Sequence, residues 1–161
     1  MIRVGIGTDR HRLVFGRKLI LGGVHVDFAK GGAGHSDADA LSHAIIDALL
    51  GAAGLGDIGH HFPDNDPKWK DADSIELMKK TLEILTSAGY EPVNIDASVH
   101  LELPKLGRMK QEMAGIVADT LKLPRHRVNI KAKTGEGLDA VGKGDAVEAI
   151  AIAQVNSTRD Q

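Results

Sequence analysis

Apolar residues alternate with polar or small residues over several short stretches of the chain, which is the pattern of β-strands buried on one face. Two short apolar runs flank Gly22-Gly23, as expected of a hairpin or bulge. The predicted strands cover residues 2–13, two runs within 18–26, 93–103, 128–134 and 146–155. A glycine-rich loop over residues 135–139 separates the last two strands.

Three other stretches repeat apolar residues at every third or fourth position, the spacing of amphipathic helices. Ser36 and Asp39 resemble a capping box, with Asp in place of the usual Glu, and predict a first helix over residues 37–53. A second helix starts at Asp73-Ser74, and a third covers residues 107–121. The element order β-β-α-α-β-α-β-β predicts an α+β fold, a single domain whose sheet of about four to five strands is covered on one face by helices.

Length and composition narrow the classes of protein that fit. A chain of 161 residues suits one domain, which we assign to residues 1–156, with a polar and frayed tail over residues 157–161. The absence of cysteine excludes disulfides, thiolate metal ligands and cysteine nucleophiles. A net charge of -2 and an aromatic content of 3% give neither the basic stripe nor the stacking surface of a nucleic-acid-binding protein.

The start of the chain carries no targeting signal that we can identify. It lacks the apolar core of a signal peptide, and no apolar run approaches the ~20 residues that span a bilayer. We therefore expect a cytoplasmic bacterial protein that does not bind membranes. A mature plastid form, from which a transit peptide had been removed, would show the same features.

A candidate metal site comes from spacing. Asp9 and His11 are two residues apart, so on a strand both side chains leave the same face of the sheet. His43 lies on the first predicted helix, with Asp39 and Asp47 one turn away on either side, and we favour a solvated helix face for these two carboxylates. One Asp and two His ligands leave a fourth tetrahedral position open, as in zinc sites that bind substrate. On spacing alone, a surface Asp-His pair and a hydrogen-bonded helix histidine explain the pattern equally well.

Two loops next to the first helix are candidates for ligand binding. Residues 31–34, Gly-Gly-Ala-Gly, lead into His35-Ser36, where the N-terminus of the helix could hold a phosphate. Residues 54–67 form a long connection rich in Gly, Pro, Asn and Asp. Loops of this length inside a domain are usually functional or disordered.

Four motifs occur in an order and spacing that resemble the 2-C-methyl-D-erythritol 2,4-cyclodiphosphate synthase family of the non-mevalonate route to isoprenoid precursors. They are Gly7-Thr8-Asp9-Arg10-His11-Arg12, His35-Ser36-Asp37-Ala38-Asp39, Leu55-Gly56-Asp57-Ile58-Gly59-His60-His61-Phe62-Pro63-Asp64 and Lys131-Ala132-Lys133-Thr134-Gly135-Glu136. The resemblance spans nearly the whole chain, and its long central motif is highly specific.

The resemblance implies a homotrimer with active sites at the subunit boundaries. It also implies a phosphorus-oxygen lyase that converts a CDP-linked methylerythritol 2-phosphate into the cyclic diphosphate and releases CMP, by intramolecular phosphoryl transfer. The implied metal ligands are Asp9, His11 and His43 for zinc, and Glu136 for magnesium or manganese. His35 and Thr134 match the residues that stabilise the pentacoordinate transition state.

The resemblance assigns substrate contacts to three further regions. The loop over residues 57–66 would close on the methylerythritol moiety, while residues 101–107 and 133–136 would line the cytidine pocket from the neighbouring subunit. The implied contacts are Ser36, Asp57, Ile58, Gly59, Phe62, Asp64, Asp66, Leu103, Pro104, Lys105, Leu106, Gly107, Lys133, Gly135 and Lys143.

Three positions depart from the family pattern. Many relatives carry aromatic residues and an arginine there, lining a central channel that holds an isoprenoid diphosphate, whereas this chain has Thr8, Ala140 and Lys143. We therefore expect such a ligand to bind weakly or not at all, although Lys143 could meet a diphosphate as a point charge.

Two other functions are compatible with parts of the pattern. An open Asp-His-His site beside an anion-binding helix end could activate water, as in a zinc-dependent phosphodiesterase or nucleotide hydrolase. A non-catalytic trimeric nucleotide-binding module is the second alternative. Neither requires all four motifs at once, and we favour the synthase.

Overall fold

The computed structural model describes residues 1–158. Its strands are β1 (Ile2–Phe15), β2 (Leu19–Leu21), β3 (Val24–Val26), β4 (Lys30–Gly32), β5 (Tyr90–His100), β6 (Val128–Lys133) and β7 (Ala146–Ser157). Its helices are α1 (Ala40–Ala53), α2 (Ile58–His61), α3 (Ser74–Ser87), α4 (Met109–Leu121) and α5 (Asp139–Gly142), with 3₁₀ turns at Pro67–Trp69 and Arg125–Arg127.

Five strands form one mixed sheet in the order β4-β1-β7-β5-β6, while β2 and β3 form a separate hairpin. All pairings are antiparallel except the one between β5 and β6. The inner face of the sheet packs against the helices, and β7 turns Val147, Ala149, Ala151, Ala153 and Val155 into the core. The predicted α+β fold, with a sheet covered on one face, is confirmed.

Helix α1 lies unusually close to β1 because the strand carries glycines on its inner face. A Cβ atom on Gly7 would lie 2.1 Å from the Ala44 carbonyl oxygen and 2.5 Å from the Ala48 nitrogen. A Cβ atom on Gly5 would lie 2.2 Å from the Ala48 carbonyl oxygen, one helical turn further along α1. This backbone-to-backbone packing needs small residues, which accounts for the abundance of glycine and alanine.

The outer face of the sheet carries exposed apolar side chains. Ile2, Val4, Ile6 and Ile152 are 62%, 66%, 66% and 47% exposed, and Ile6 pairs directly with Ile152 across β1 and β7. Isolated exposed apolar residues are ordinary, but a contiguous apolar group on one sheet face is typical of a protein interface.

The predicted start of the first helix is wrong by three residues. Helix α1 begins at Ala40, and its N-cap is Asp39, whose carboxylate accepts a hydrogen bond from the Ser42 nitrogen at 2.9 Å. The predicted cap, Ser36, instead accepts from the Ala38 nitrogen at 3.2 Å. Both residues are good caps, so local sequence alone did not distinguish them.

Other boundaries also differ from the prediction. Strand β5 covers Tyr90–His100 rather than residues 93–103, since its parallel partner β6 ends opposite His100, at Lys133. Strand β7 continues through Ser157, so the first residue of the predicted tail belongs to the sheet, while residues 159–161 lie outside the described residues. The short elements β4, α2 and α5 were not predicted.

No helix within residues 1–158 combines the length and the apolar character needed to cross a membrane.

The close packing of α1 on β1 predicts opposite effects for two glycine-to-alanine changes. Gly7→Ala forces a methyl group into the α1 backbone and should lower the free energy of unfolding by about 3 kcal/mol or more. Gly51→Ala, on α1 itself, meets its nearest atom at 3.9 Å and should raise it by roughly 0.5–1 kcal/mol. Urea unfolding of both variants measures the difference, and equal stabilities would contradict this packing.

Candidate metal centre and ligand cavity

Three side chains from β1 and α1 converge at one point. Asp9 and His11 leave the inner face of β1, and His43 reaches them from the first turn of α1. The Asp9 Oδ2 atom lies 2.8 Å from His11 Nε2 and 3.0 Å from His43 Nδ1, and the two ring nitrogens are 3.4 Å apart. Each side chain is between 11% and 25% exposed, so the cluster is sheltered yet reachable.

These residues fit a tetrahedral metal site. Zinc binds nitrogen and oxygen ligands at about 2.0–2.1 Å, which places the ligand atoms of a tetrahedral site roughly 3.3 Å from one another. The three donor atoms of Asp9, His11 and His43 lie 2.8, 3.0 and 3.4 Å apart, close to that value. Among residues 1–158 they form the one group of this kind, and two imidazoles with one carboxylate are a donor set suited to a divalent transition metal.

The cluster also shifts the pKa values of Asp9 and His11. Burial alone would raise the pKa of Asp9, but hydrogen bonds and charge attraction from His11 and His43 outweigh burial and lower it well below its ordinary value. Burial lowers the pKa of His11, whereas its hydrogen bond and charge attraction to Asp9 raise it, and the net pKa lies above 6.5. The carboxylate is therefore ionised at neutral pH and attracts cations.

Hydrogen bonds hold both histidine rings from behind. His11 Nδ1 lies 2.9 Å from the Ala33 carbonyl oxygen. His43 Nε2 lies 2.8 Å from Ser74 Oγ and 3.3 Å from Ser36 Oγ. Sequence reasoning missed Ser74 because it lies 31 residues from His43 and its local pattern indicates only the start of a helix.

Asp39 and Asp47 both accept hydrogen bonds from neighbouring backbone, and Asp39 is buried whereas Asp47 is partly exposed. Asp39 is fully buried and accepts hydrogen bonds from the nitrogens of Gly22 and Gly23, at 2.8 Å each, and from Ser42, so the expected solvated position is wrong. Burial raises its pKa, and these hydrogen bonds offset part of the effect. Asp47 accepts from the Ile58 nitrogen at 2.7 Å, and its pKa is raised chiefly by burial.

A cavity of about 390 Å³ opens beside the metal centre. His35 and Ser36 line it from the segment before α1, and Ile58, Gly59, Phe62 and Asp64 line it from the loop after that helix. The structure thus brings six residues of the predicted substrate site together with His11 and His43.

Other residues in this region have different positions from those predicted. Asp57 and Asp66 do not line the cavity; they cap α2 and the following 3₁₀ turn, accepting from the nitrogens of His60 and Lys68 at 2.9 Å each. Trp69 does line it and packs edge-on against Phe62, with ring centroids 5.0 Å apart. Its sequence signal was the single tryptophan of the chain, placed in a loop rich in Asp and Pro.

Apart from Lys143, which follows α5, the remaining predicted residues lie at or after the ends of strands β5 and β6, beyond β7 in the sheet. Strand β6 is three strands from β1, which corresponds to roughly 14 Å. Thr134 and Glu136 follow β6, and their side chains are joined by a short hydrogen bond. No predicted site residue within 103–107 or 133–136 lines the described cavity, so one chain brings only half of the predicted site together.

Local contacts fix the loops that follow β5 and β6, which contain the second half of the predicted site. The Gly135 nitrogen donates to Glu102 Oε2 at 2.8 Å, a contact that sequence reasoning missed and that fixes the loop containing Thr134. Leu103 is 55% exposed and open to a ligand, whereas Leu106 is buried in the core.

A second cavity, of about 750 Å³, lies on the outer side of β1. It is lined by the basic residues Arg10, Arg12 and Lys30, and by Ala140, one of the three positions that depart from the family pattern. Thr8 and Lys143, the other two, are exposed.

Known proteins resemble this chain over nearly its whole length. The family model described as the YgbB family matches residues 2–156. The 2-C-methyl-D-erythritol 2,4-cyclodiphosphate synthase of Desulfatibacillum aliphaticivorans is 53% identical over 152 residues, which is 94% of this chain and 98% of that protein.

Solved structures give the same result. A 2C-methyl-D-erythritol-2,4-cyclodiphosphate synthase in its CDP-bound form matches with a TM-score of 0.88 and 36% identity, over 96% of this chain and 100% of that one. The bifunctional IspDF from Campylobacter jejuni matches with a TM-score of 0.93 and 40% identity over 98% of this chain, which spans 42% of that longer protein. The chain therefore belongs to the YgbB family, and its sequence and structural relatives are 2-C-methyl-D-erythritol 2,4-cyclodiphosphate synthases.

Proposed function

We propose that the protein converts 4-diphosphocytidyl-2-C-methyl-D-erythritol 2-phosphate into 2-C-methyl-D-erythritol 2,4-cyclodiphosphate and CMP. The observation that carries this proposal is the Asp9, His11 and His43 cluster, which opens into a cavity lined by His35 and Ser36. The 53% identity to a synthase of this name supports the same reaction.

The chain offers ligands for two divalent cations. Asp9, His11 and His43 would hold zinc, which when bound supplies a Lewis acid for the β-phosphate of the substrate. Glu136 would hold magnesium or manganese. Magnesium usually binds one or two carboxylates together with substrate phosphates and water, and an exposed glutamate in a loop suits that arrangement.

The other proposed site residues would align the substrate and stabilise its negative charge, and they would not transfer protons. The attacking 2-phosphate of the substrate is already an anion, so the reaction needs no general base, and the obstacles are charge repulsion and alignment. His35 and Ser36 would donate hydrogen bonds to phosphate oxygens at the entrance of α1, and the Thr134 hydroxyl would do so from the β6 side. Since such bonds strengthen in the transition state, their loss should lower kcat more than it raises KM.

We propose that a homotrimer completes the active site. The cavity beside His43 contains none of the predicted cytidine contacts, because these follow strands β5 and β6 on the far side of the sheet. A neighbouring copy that covers the exposed apolar outer face could bring its residues 103–107 and 133–136 to the cavity. The interface would then bury Ile6 and Ile152, which are exposed in the single chain.

The activity itself is testable by ³¹P NMR with the proposed substrate and Mg²⁺. Wild type should give two coupled resonances of a cyclic diphosphate together with CMP. His43→Ala removes a metal ligand and should lower kcat/KM by roughly 10³-fold, which corresponds to several kcal/mol of lost charge stabilisation. His25→Ala, at an exposed histidine of β3, is the matched control and should match wild type.

Other outcomes of this assay identify the alternatives. Linear methylerythritol products beside CMP would indicate a zinc-dependent hydrolase. Retained CDP binding with no turnover at any divalent metal would indicate a nucleotide-binding module.

The raised pKa of His11 predicts how zinc affinity depends on pH. Zinc binds the neutral imidazole, so protons compete with zinc as the pH falls through the His11 pKa. Since that pKa is raised, the affinity should begin to fall at a higher pH than it would for an unperturbed histidine, and then drop by about tenfold per pH unit for each proton displaced. Asp9, whose pKa is lowered, stays ionised over this range. Competition with a zinc chelator between about pH 8 and pH 5.5 measures this pH dependence, and a constant zinc affinity would contradict the assignment of His11 as a ligand.

The outer sheet face predicts the oligomeric state. Wild type should sediment with three times the 17.1 kDa mass of one chain. Ile6→Asp places a charge in the proposed interface and should shift the protein to monomers with little activity, because each site would lose its second half. Thr86→Asp, at an exposed position of α3, adds the same charge away from this face and should leave the trimer intact. A wild-type monomer with full activity would refute the proposal.

A further inference from the structure

The proposed metal centre needs one tautomer of His43. Its Nδ1 atom faces the cluster, 3.0 Å from Asp9 Oδ2 and 3.4 Å from His11 Nε2, so Nδ1 is the ligand atom. A ring nitrogen binds a metal through its lone pair, and a neutral imidazole carries one proton. That proton must therefore be on Nε2.

Ser74 can accept that proton only if its own hydroxyl proton points elsewhere. Its Oγ lies 2.8 Å from His43 Nε2 and is also in short hydrogen-bond contact with Asp37 Oδ1. A carboxylate accepts hydrogen bonds and donates none. The Ser74 hydroxyl consequently donates to Asp37, which leaves an Oγ lone pair to accept from Nε2–H.

Backbone donors hold the Asp37 carboxylate in this position. Its Oδ2 accepts from the Ser74 nitrogen at 2.9 Å, and its Oδ1 accepts from the Asp39 nitrogen at 3.2 Å. Ser74 is fully buried, so water does not compete for the hydroxyl. The two hydrogen bonds therefore run in one direction: His43 Nε2–H donates to Ser74 Oγ, and the Ser74 hydroxyl donates to Asp37.

We propose that Asp37, acting through Ser74, is a positioning residue that holds His43 with its proton on Nε2 and directs Nδ1 to the metal. This inference rests on the metal site proposed above. Partners of the free nitrogen of a metal-bound histidine commonly change metal affinity by 10- to 100-fold. Asp37 and Ser74 would contribute in this way without touching substrate or metal.

The substitution Asp37→Asn reverses the hydrogen-bond direction while preserving shape. When its amide oxygen keeps the 2.9 Å contact with the Ser74 nitrogen, which is the shorter of the two backbone contacts, its NH₂ group faces Ser74 Oγ and donates to it, and the 3.2 Å hydrogen bond from the Asp39 nitrogen is lost. The Ser74 hydroxyl proton is then free to point at His43 Nε2, which favours a proton on Nδ1 and opposes metal binding. Zinc affinity, measured by chelator competition at fixed pH, should fall by roughly 10- to 100-fold.

A spectroscopic measurement separates positioning from a general structural effect. In zinc-loaded, ¹⁵N-histidine-labelled wild type, the Nε2–H proton of His43 should give a slowly exchanging, hydrogen-bonded NMR signal. Asp37→Asn should remove or strongly shift that signal.

Asp73→Asn is the matched control. It makes the same chemical change one residue before Ser74, at the N-cap of α3, where the carboxylate accepts from the Ile75 nitrogen at 2.8 Å. Asparagine caps helices as well as aspartate does, so zinc affinity and the His43 signal should stay within about twofold of wild type.

Ser74→Ala tests the same connection by removing the hydroxyl group that joins His43 to Asp37. Removing the hydroxyl takes away the nearer acceptor for Nε2–H and leaves Ser36 Oγ at 3.3 Å, so zinc affinity should fall by about tenfold. If the loss of this buried hydroxyl prevents folding, Asp37→Asn by itself tests the positioning role.

The outcomes separate this inference from the metal site itself. Wild-type protein that fails to bind zinc would overturn both. Zinc binding by wild type and Asp37→Asn with equal affinity, or equal losses in Asp37→Asn and Asp73→Asn, would overturn the positioning role alone.

Discussion

The contact between the backbones of α1 and β1 is the constraint on which the rest of the structure depends. Gly5 and Gly7 let the helix approach the strand more closely than any side chain would allow. Two residues further along the same face, the strand presents Asp9 and then His11, and the helix presents His43. The proposed metal ligands therefore belong to two rigid elements whose separation is set by backbone packing, and a coordination site tolerates errors of only a few tenths of an ångström.

Two carboxylates on either side of Ala38 connect this core to the surrounding elements. Ala38 adopts a left-handed conformation with φ of 57°, which is unfavourable for alanine and directs Asp37 and Asp39 to different partners. Asp39 binds the turn between β2 and β3, and Asp37 binds the start of α3. A buried carboxylate is costly unless its oxygens are satisfied, and Asp39 accepts four hydrogen bonds. The strained segment thus holds the hairpin, α1 and α3 in one arrangement around His43.

Local patterns and tertiary contacts together explain which parts of the structure could be predicted from the sequence. The period of two in β1 predicted Asp9 and His11 on one face, and the helical pattern predicted His43 on a helix, so local spacing made these three residues candidate metal ligands, although a surface pair and a hydrogen-bonded helix histidine fitted it equally well. The start of α1 was wrong because Ser36 and Asp39 are both competent caps, and tertiary contacts to Gly22 and Gly23 select Asp39. The end of β5 depends on where its partner strand stops, which is not a local property. Ser74 and Asp37 are 37 residues apart, and no periodicity connects them.

The division of the predicted site into two halves follows from the chemistry that the family performs. A reaction whose nucleophile is already part of the substrate gains most from alignment, and alignment requires contacts at both ends of an extended molecule. Strand β1, next to β4 at one edge of the sheet, carries Asp9 and His11, whereas Thr134 and Glu136 follow β6 at the other edge, and β6 is three strands or roughly 14 Å from β1. A single sheet cannot fold these edges together, because its pleated strands have a fixed spacing. In the homotrimer that we propose, association through the uncovered face would solve this geometric problem without changing the fold, since each copy would supply one half of the site to a neighbour. The exposure of Ile6 and Ile152 in the single chain would then follow from the same requirement that separates the two halves of the site.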